Sequence, residues 1–389
     1  MNERRQMPPG RGPEAIVVGA GVFGAWTAEH LRQAGKRVLL VDHLGAANAL
    51  ASSGCESRMT RSAYGRDAIY TQMAHASLAA WQGLSDRASL PLFHRAGALF
   101  LFDRMGEYAR DTIAVHRELN LPLKELDRAF LARRWPQIDS RDIAFGLHEP
   151  AFGALMARRA VQELVAGFVA AGGIHRIAHA APSDEAHAVL LDGEAYHADA
   201  IVYACGPWLA KLFPDLLGSR LFVTRQEIAF VAPPPGDRSF GPGALPCWAD
   251  LQGEDLYYGF PDLEARGFKL ALDRHGPPFD PDNGDRRMSA AGMETLRAYL
   301  ARRFPALAER PFSEFRVCQY ENSGNGDFLI DRHPERAEVF LMGAGSGHGF
   351  KHGPEAGRLM ADLVLGRRAG PEPRFALAAK GDAHRRTVM

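Results

Sequence analysis

Four consecutive apolar positions, Ala15-Ile-Val-Val, lead into Gly19 and predict a short buried strand. After Gly24, apolar Ala25, Ala28 and Leu31 fall three apart, which predicts a helix running to about Gly35. Arg37-Val-Leu-Leu-Val-Asp42 then reads as a second strand. Two further apolar runs end in glycine turns, residues 198–208 and 338–349. The second is followed by a helical pattern from about Phe350 to Leu365, with Pro354 in its first turn, where a missing amide hydrogen does no harm. Other stretches have a different texture. Gly97-Ala-Leu-Phe-Leu-Phe, Phe222 to Val231 and Leu256-Tyr-Tyr-Gly-Phe are strand-like and are punctuated by Ala232-Pro-Pro-Pro-Gly and His275-Gly-Pro-Pro.

These textures divide the chain into two interleaved units. Residues 15–90, 151–218 and 322–370 form a discontinuous α/β unit, while 91–150 and 219–321 form a mostly antiparallel sheet laid over it. Residues 1–14 are a polar, disordered lead-in and 371–389 a tail, and no internal repeat is present.

The opening strand, glycine turn, helix and second strand are the parts of a Rossmann-type βαβ unit. Gly19 gives the tight turn, Gly21 lets backbone approach a pyrophosphate, and Gly24 lets the helix pack close on the strand. Asp42 lies about twenty residues on, placed to accept hydrogen bonds from ribose hydroxyls. The pattern recognises an ADP moiety and does not by itself separate FAD from NAD.

Composition narrows the classes. The 46 lysines and arginines balance 46 aspartates and glutamates, against a nucleic-acid or anionic-membrane partner. No apolar run reaches the ~18 residues of a membrane span, and the lead-in has no apolar core of a secretory signal. Cys55, Cys205, Cys247 and Cys318 are far apart, which argues against a disulfide framework or a metal site and for a reducing cytoplasm.

Candidate chemistry follows from strand alternation. In Phe268 to Asp273, Lys269 and Asp273 share one side opposite Phe268, Leu270 and Leu272, about 13 Å apart if the strand stays extended. By pattern alone this is a solvated face, and Cys318, on the same side of its strand as Tyr320, is a small buried hydrophobe. The polar loop from Ser52 to Arg61 carries two arginines three apart, suited to a pyrophosphate, a ring or a substrate carboxylate. Gly345-Ser-Gly-His-Gly-Phe-Lys351 precedes a helix, whose amino end offers free N–H groups to an anionic ring edge.

Taken together, these motifs resemble the monomeric sarcosine oxidase family of D-amino-acid-oxidase-like flavoproteins, over about residues 15–370. The resemblance rests on Gly19-Ala-Gly21-Val-Phe-Gly24, Ser57-Arg58-Met-Thr-Arg61-Ser-Ala-Tyr64-Gly65, Tyr257-Tyr258-Gly-Phe-Pro261, Gly267-Phe-Lys269-Leu, Val317-Cys318-Gln-Tyr320, Phe328-Leu-Ile-Asp331-Arg-His-Pro334 and Ser346-Gly-His-Gly-Phe-Lys351. It implies FAD in the Rossmann unit, held by Gly19, Gly21, Gly24, Asp42, Ser57, Arg58, Gly345, Gly347, Gly349 and Lys351 and linked covalently through Cys318. Lys269 would assist dioxygen, Arg61 and Lys351 would bind a substrate carboxylate, Tyr258 and Tyr320 would line the pocket, and Arg58 would pack beside the flavin. The implied activity is oxidation, by a monomer, of a small secondary amine or an N-methyl or cyclic amino acid to an imine, with hydrogen peroxide released.

Two family histidines are replaced, by Gly54 and Asp273. The added carboxylate points away from sarcosine itself and toward a bulkier or more cationic amine. An FAD dehydrogenase passing electrons to a quinone or partner protein is the first alternative. A nicotinamide-binding protein is the second.

Overall fold

The computed structural model describes residues 12–253 and 255–381. Most of the expected lead-in and the end of the tail therefore lie outside the described residues.

A six-stranded sheet runs in the order Leu329–Arg332, Val339–Gly343, Ala200–Tyr203, Ala15–Val18, Val38–Asp42, Ile174–Ile177. All neighbours are parallel except the first pair. Both faces are covered, as a parallel sheet requires. Ala15 and Val17 pack into one core with helices Val22–Gln33, Ala157–Ala170 and Gly353–Val364, while Ile16 and Val18 pack into another on the opposite face. This explains why the opening run is apolar throughout instead of alternating. Gly24 earns its place sterically: a Cβ there would lie 1.9 Å from the Gly19 carbonyl oxygen.

The second layer is an eight-stranded sheet in the order Phe312–Ser323, Leu221–Val231, Phe268–Leu272, Asp255–Phe260, Cys247–Gln252, Ala98–Phe102, Phe145–Glu149, Lys124–Asp127. It is antiparallel apart from the pairing of Cys247–Gln252 with Ala98–Phe102. Phe268 and Leu270 enter a core with Trp248 and helix Ala290–Arg303, and Ala271 joins Cys318 and Ile228 on the other face. The alternation read from the sequence is thus real, but its polar side is buried: Lys269 is only 2% exposed, so the solvated-face reading fails.

A three-stranded sheet (Ser57–Thr60, Gly153–Met156, Phe93–His94) carries the polar loop. The helix expected from Phe350 starts later. Phe350–His352 form a 3-10 turn, and the α-helix runs from Gly353 to Val364 with Pro354 in its first turn, as expected. Within the tail, Phe375 is buried and Arg374 pairs with Asp67 and Asp327. Among the described residues no helix is long and apolar enough to cross a membrane.

Candidate active site

Two adjoining cavities lie along the glycine turns. The larger, about 570 Å³, is walled by Gly19, Gly21, Asp42, Ser52, Ser53, Cys205, Gly206, Gly345 and Gly349. Gly19, at φ 103°, makes the turn after the first strand, where only glycine is unstrained. The Asp42 carboxylate accepts from the Ala20 amide at 2.8 Å and the Leu44 amide at 2.9 Å, which fixes it at the cavity edge. Gly347, at φ 79°, lies so near Tyr320 that a Cβ would come within 2.7 Å of the ring. Gly24 packs the helix on the turn and does not line the cavity.

The second cavity, about 380 Å³, opens between the two layers and shares Arg58, Tyr320, Ser346, Gly347 and Phe350 with the first. Arg61, Lys351, Asp273, Tyr258, Tyr64 and Tyr108 line it. Arg61 donates to the Ala63 carbonyl and lies 4.2 Å from the centre of the Tyr64 ring. Burial opposes its charge, but Tyr64, Tyr108, Glu149 and Asp273 outweigh burial and raise its pKa. Lys351 donates to the His348 carbonyl at 2.8 Å, and burial beside Arg61 pulls it well below its ordinary value. Asp273 accepts from the Tyr320 hydroxyl at 2.9 Å, and burial raises its carboxyl to about 6. Burial also pushes Tyr258, which shares a hydrogen bond with Tyr320, up to about 12. A guanidinium, an amine and a carboxyl thus face a partly dry space, an arrangement that favours a ligand bringing an anion and a cation.

The remaining candidates sit at the junction. Arg58 donates to the Ser52 carbonyl at 2.9 Å and lies 3.7 Å from the Cys318 sulfur. Lys269 lines neither cavity as drawn by these walls: its Nζ donates to the Ser57 carbonyl at 2.8 Å and Ser57 Oγ at 3.0 Å, over the Phe260 ring. Ser57 Oγ accepts from Lys269, and Ser57 lines neither cavity. Burial takes the Lys269 amine well below its usual pKa. Cys318 is bonded to Cys55 as a disulfide across 263 residues. This corrects the sequence expectation, because distance along the chain hid the fact that the polar loop folds directly against strand Phe312–Ser323. Tyr108 is a site residue that the sequence pattern did not single out, and Tyr64 and Ser346 stood in its motifs without a role.

The family model for "FAD dependent oxidoreductase" matches residues 14–363. The chain belongs to that family. Human peroxisomal sarcosine oxidase is 28% identical over 367 residues, covering 90% of this chain and 92% of its own. Monomeric sarcosine oxidase of Bacillus sp. (strain B-0618) is 29% identical over 363 residues, with the same coverage of 90% and 92%. Among solved structures, L-proline dehydrogenase from P. horikoshii superposes with TM-score 0.82 at 16% identity, covering 96% of this chain and 99% of that one. The larger cavity of this FAD-dependent oxidoreductase fits the cofactor on its own geometry: bare glycine backbone beside a helix start, a fixed carboxylate, and the unpartnered, buried Glu321 Oε1 at its wall.

Proposed function

We propose that this oxidoreductase acts, as a monomer, on a small secondary amine or an N-methyl or cyclic amino acid and passes the electrons to dioxygen. The observation that carries the reading is the meeting of Arg61, Lys351 and Asp273 in the wall of one cavity. An amino acid brings its carboxylate to the two cations, and its charge would restore the proton that burial loosens on Lys351. Tyr258, Tyr320 and Asp273 then face the amine end. Asp273 favours a substrate with a second positive group over sarcosine. The apolar wall of Phe100, Leu251, Leu256 and Phe260 leaves room for a bulkier body and excludes water from the reacting carbon. Bound FAD supplies the two-electron acceptor.

Gly19, Gly21, Gly345, Gly347 and Gly349 with Asp42 would hold the dinucleotide, and Arg58 would lie beside its ring. Lys269, a buried amine that donates to Ser57 through both of its hydrogen bonds among the described residues, is the candidate group that assists dioxygen by charge and proton. Cys318 is the candidate for covalent attachment. A sulfur in a disulfide cannot form a thioether, so attachment requires the Cys55 bond to be open.

The test is a panel of secondary amines and amino acids read by peroxide release, with Lys269→Met alongside. One peroxide per amine is expected. The variant should reduce its flavin near normally under nitrogen and reoxidise in air slower by about two orders of magnitude. Turnover that needs an added quinone and yields no peroxide would replace the oxidase reading with the dehydrogenase one.

A further inference from the structure

Behind Arg61, away from the cavity, lies a buried polar cluster that the proposed reaction does not use. Glu149, the last residue of strand Phe145–Glu149, is 1% exposed. Its two carboxyl oxygens accept from the Ser62 amide at 3.0 and 3.1 Å, and Oε1 also accepts from Ser62 Oγ. His116 Nε2 lies 3.2 Å from Oε1, and His116 Nδ1 lies 2.8 Å from the Thr112 carbonyl.

A carbonyl oxygen only accepts, so His116 Nδ1 carries a proton. His116 Nε2 also lies 3.0 Å from Ser62 Oγ, which in turn lies 3.0 Å from His75 Nε2. With Glu149 ionised and accepting from Ser62 Oγ, Nε2 carries a proton as well and His116 is an imidazolium. The titration directions agree: although burial opposes both charges, the Ser62 and His116 hydrogen bonds hold Glu149 below the usual carboxylate range, and Glu149 raises His116.

Such a pair gives little net stability, because two charges lose their water. Its placement is informative instead. Ser62 directly follows Arg61. Thr71 Oγ1 donates to the Ser62 carbonyl at 2.9 Å, and the Ala63 carbonyl accepts from both Tyr108, at 2.6 Å, and the Arg61 guanidinium. The Ser62 amide, the first backbone group after Arg61, is held by Glu149 with both oxygens.

We propose that Glu149, with His116 as its charge partner, is a positioning residue that fixes the Arg61–Ser62 peptide and thereby aims the Arg61 guanidinium at a substrate's carboxylate. This rests on the reading that Arg61 and Lys351 receive that carboxylate. Loss of Glu149 frees the peptide and lets the Arg61 guanidinium depart from that aim.

The experiment titrates holoenzyme with propionate and with propionamide, reading the flavin absorbance, in wild type, Glu149→Gln and Glu149→Asp. Wild type should prefer propionate; equal binding of the two would overturn the carboxylate reading, and this inference with it. Given that preference, Glu149→Gln should weaken propionate about tenfold and leave propionamide unchanged, with KM rising more than kcat falls. Glu149→Asp, which keeps the charge, should recover part of the loss and remains readable if the Gln variant does not fold. A merely structural Glu149 would weaken both ligands alike or neither, and either result overturns the proposal.

Discussion

Gly19, Gly21, Gly345 and Gly349 wall one cavity with bare backbone, whereas Arg61, Lys351, Asp273 and five tyrosines wall the other with charged and hydroxylated side chains. The first uses amide groups and turn geometry, which are available wherever glycine permits the turn. The second depends on residues from the polar loop, three strands and the turn before the last helix meeting at one point. A backbone-built site tolerates change in its surrounding side chains. A charge-built site changes its preferences with a single residue, so substrate choice in this enzyme should reside almost wholly in the second cavity. At the junction of the two, Arg58, which walls both cavities, lies 3.7 Å from the sulfur of Cys318, and the disulfide to Cys55 must open before that sulfur can bond anything else.

That junction gives the largest expected effect. Protein prepared with Cys55 and Cys318 reduced before it meets FAD should keep its yellow colour in the acid-precipitated pellet. Protein held oxidised should release FAD to the supernatant. Cys55→Ser should keep the colour under both conditions, because Cys318 then lacks its disulfide partner. FAD released from Cys55→Ser would mean that the cofactor is held by the backbone cavity alone, and the comparison would become sharper still.

The next effect is confined to the charged cavity. Burial lifts Asp273 to about 6, so its carboxyl is neutral below that pH and charged above it. Binding of a doubly cationic amine should therefore strengthen as pH rises through 6, before the amine's own titration intervenes. Asp273→Asn should abolish that rise and increase KM for the best cationic amine about ten- to hundredfold, with little change for a neutral analogue. Equal effects on both substrates would leave Asp273 as a structural partner of Tyr320.

The contrast between the cavities also explains what could be read from the sequence. Gly19, Gly21, Gly24 and Asp42 were legible because they lie within one continuous βαβ unit, where spacing encodes geometry. The parity of Lys269, Ala271 and Asp273 was legible too, since alternation is a local property. Whether that face meets water or protein was not, because the answer depends on Ser57 being carried over Lys269 by another sheet. Cys55 with Cys318, and Ser62 with Glu149, join positions 263 and 87 residues apart, and no local period announces such pairs. Family motifs pointed to Arg61; they said nothing of what holds it.

The smallest effect tests Glu321, a titratable side chain at the wall of the backbone cavity whose buried Oε1 has no hydrogen-bond partner among the described residues. Glu321 accepts from the Ala344 amide at 2.7 Å through one oxygen, while burial lifts its carboxyl to about 8. In the unfolded chain it loses its proton near the ordinary value of about 4.3. Between those two values the folded state holds the proton that the unfolded state has lost. Stability therefore falls as pH rises through this window and levels off above 8. Glu321→Gln keeps the acceptor for Ala344 and cannot ionise, so it should leave the melting temperature unchanged at pH 4. At pH 8 it should stabilise the holoenzyme by about 1–3 kcal/mol. Parallel melting curves across the window would mean that bound FAD supplies the missing partner of Glu321 Oε1. In that case the first cavity also relies on a side-chain contact, and the division between the two sites narrows at this residue.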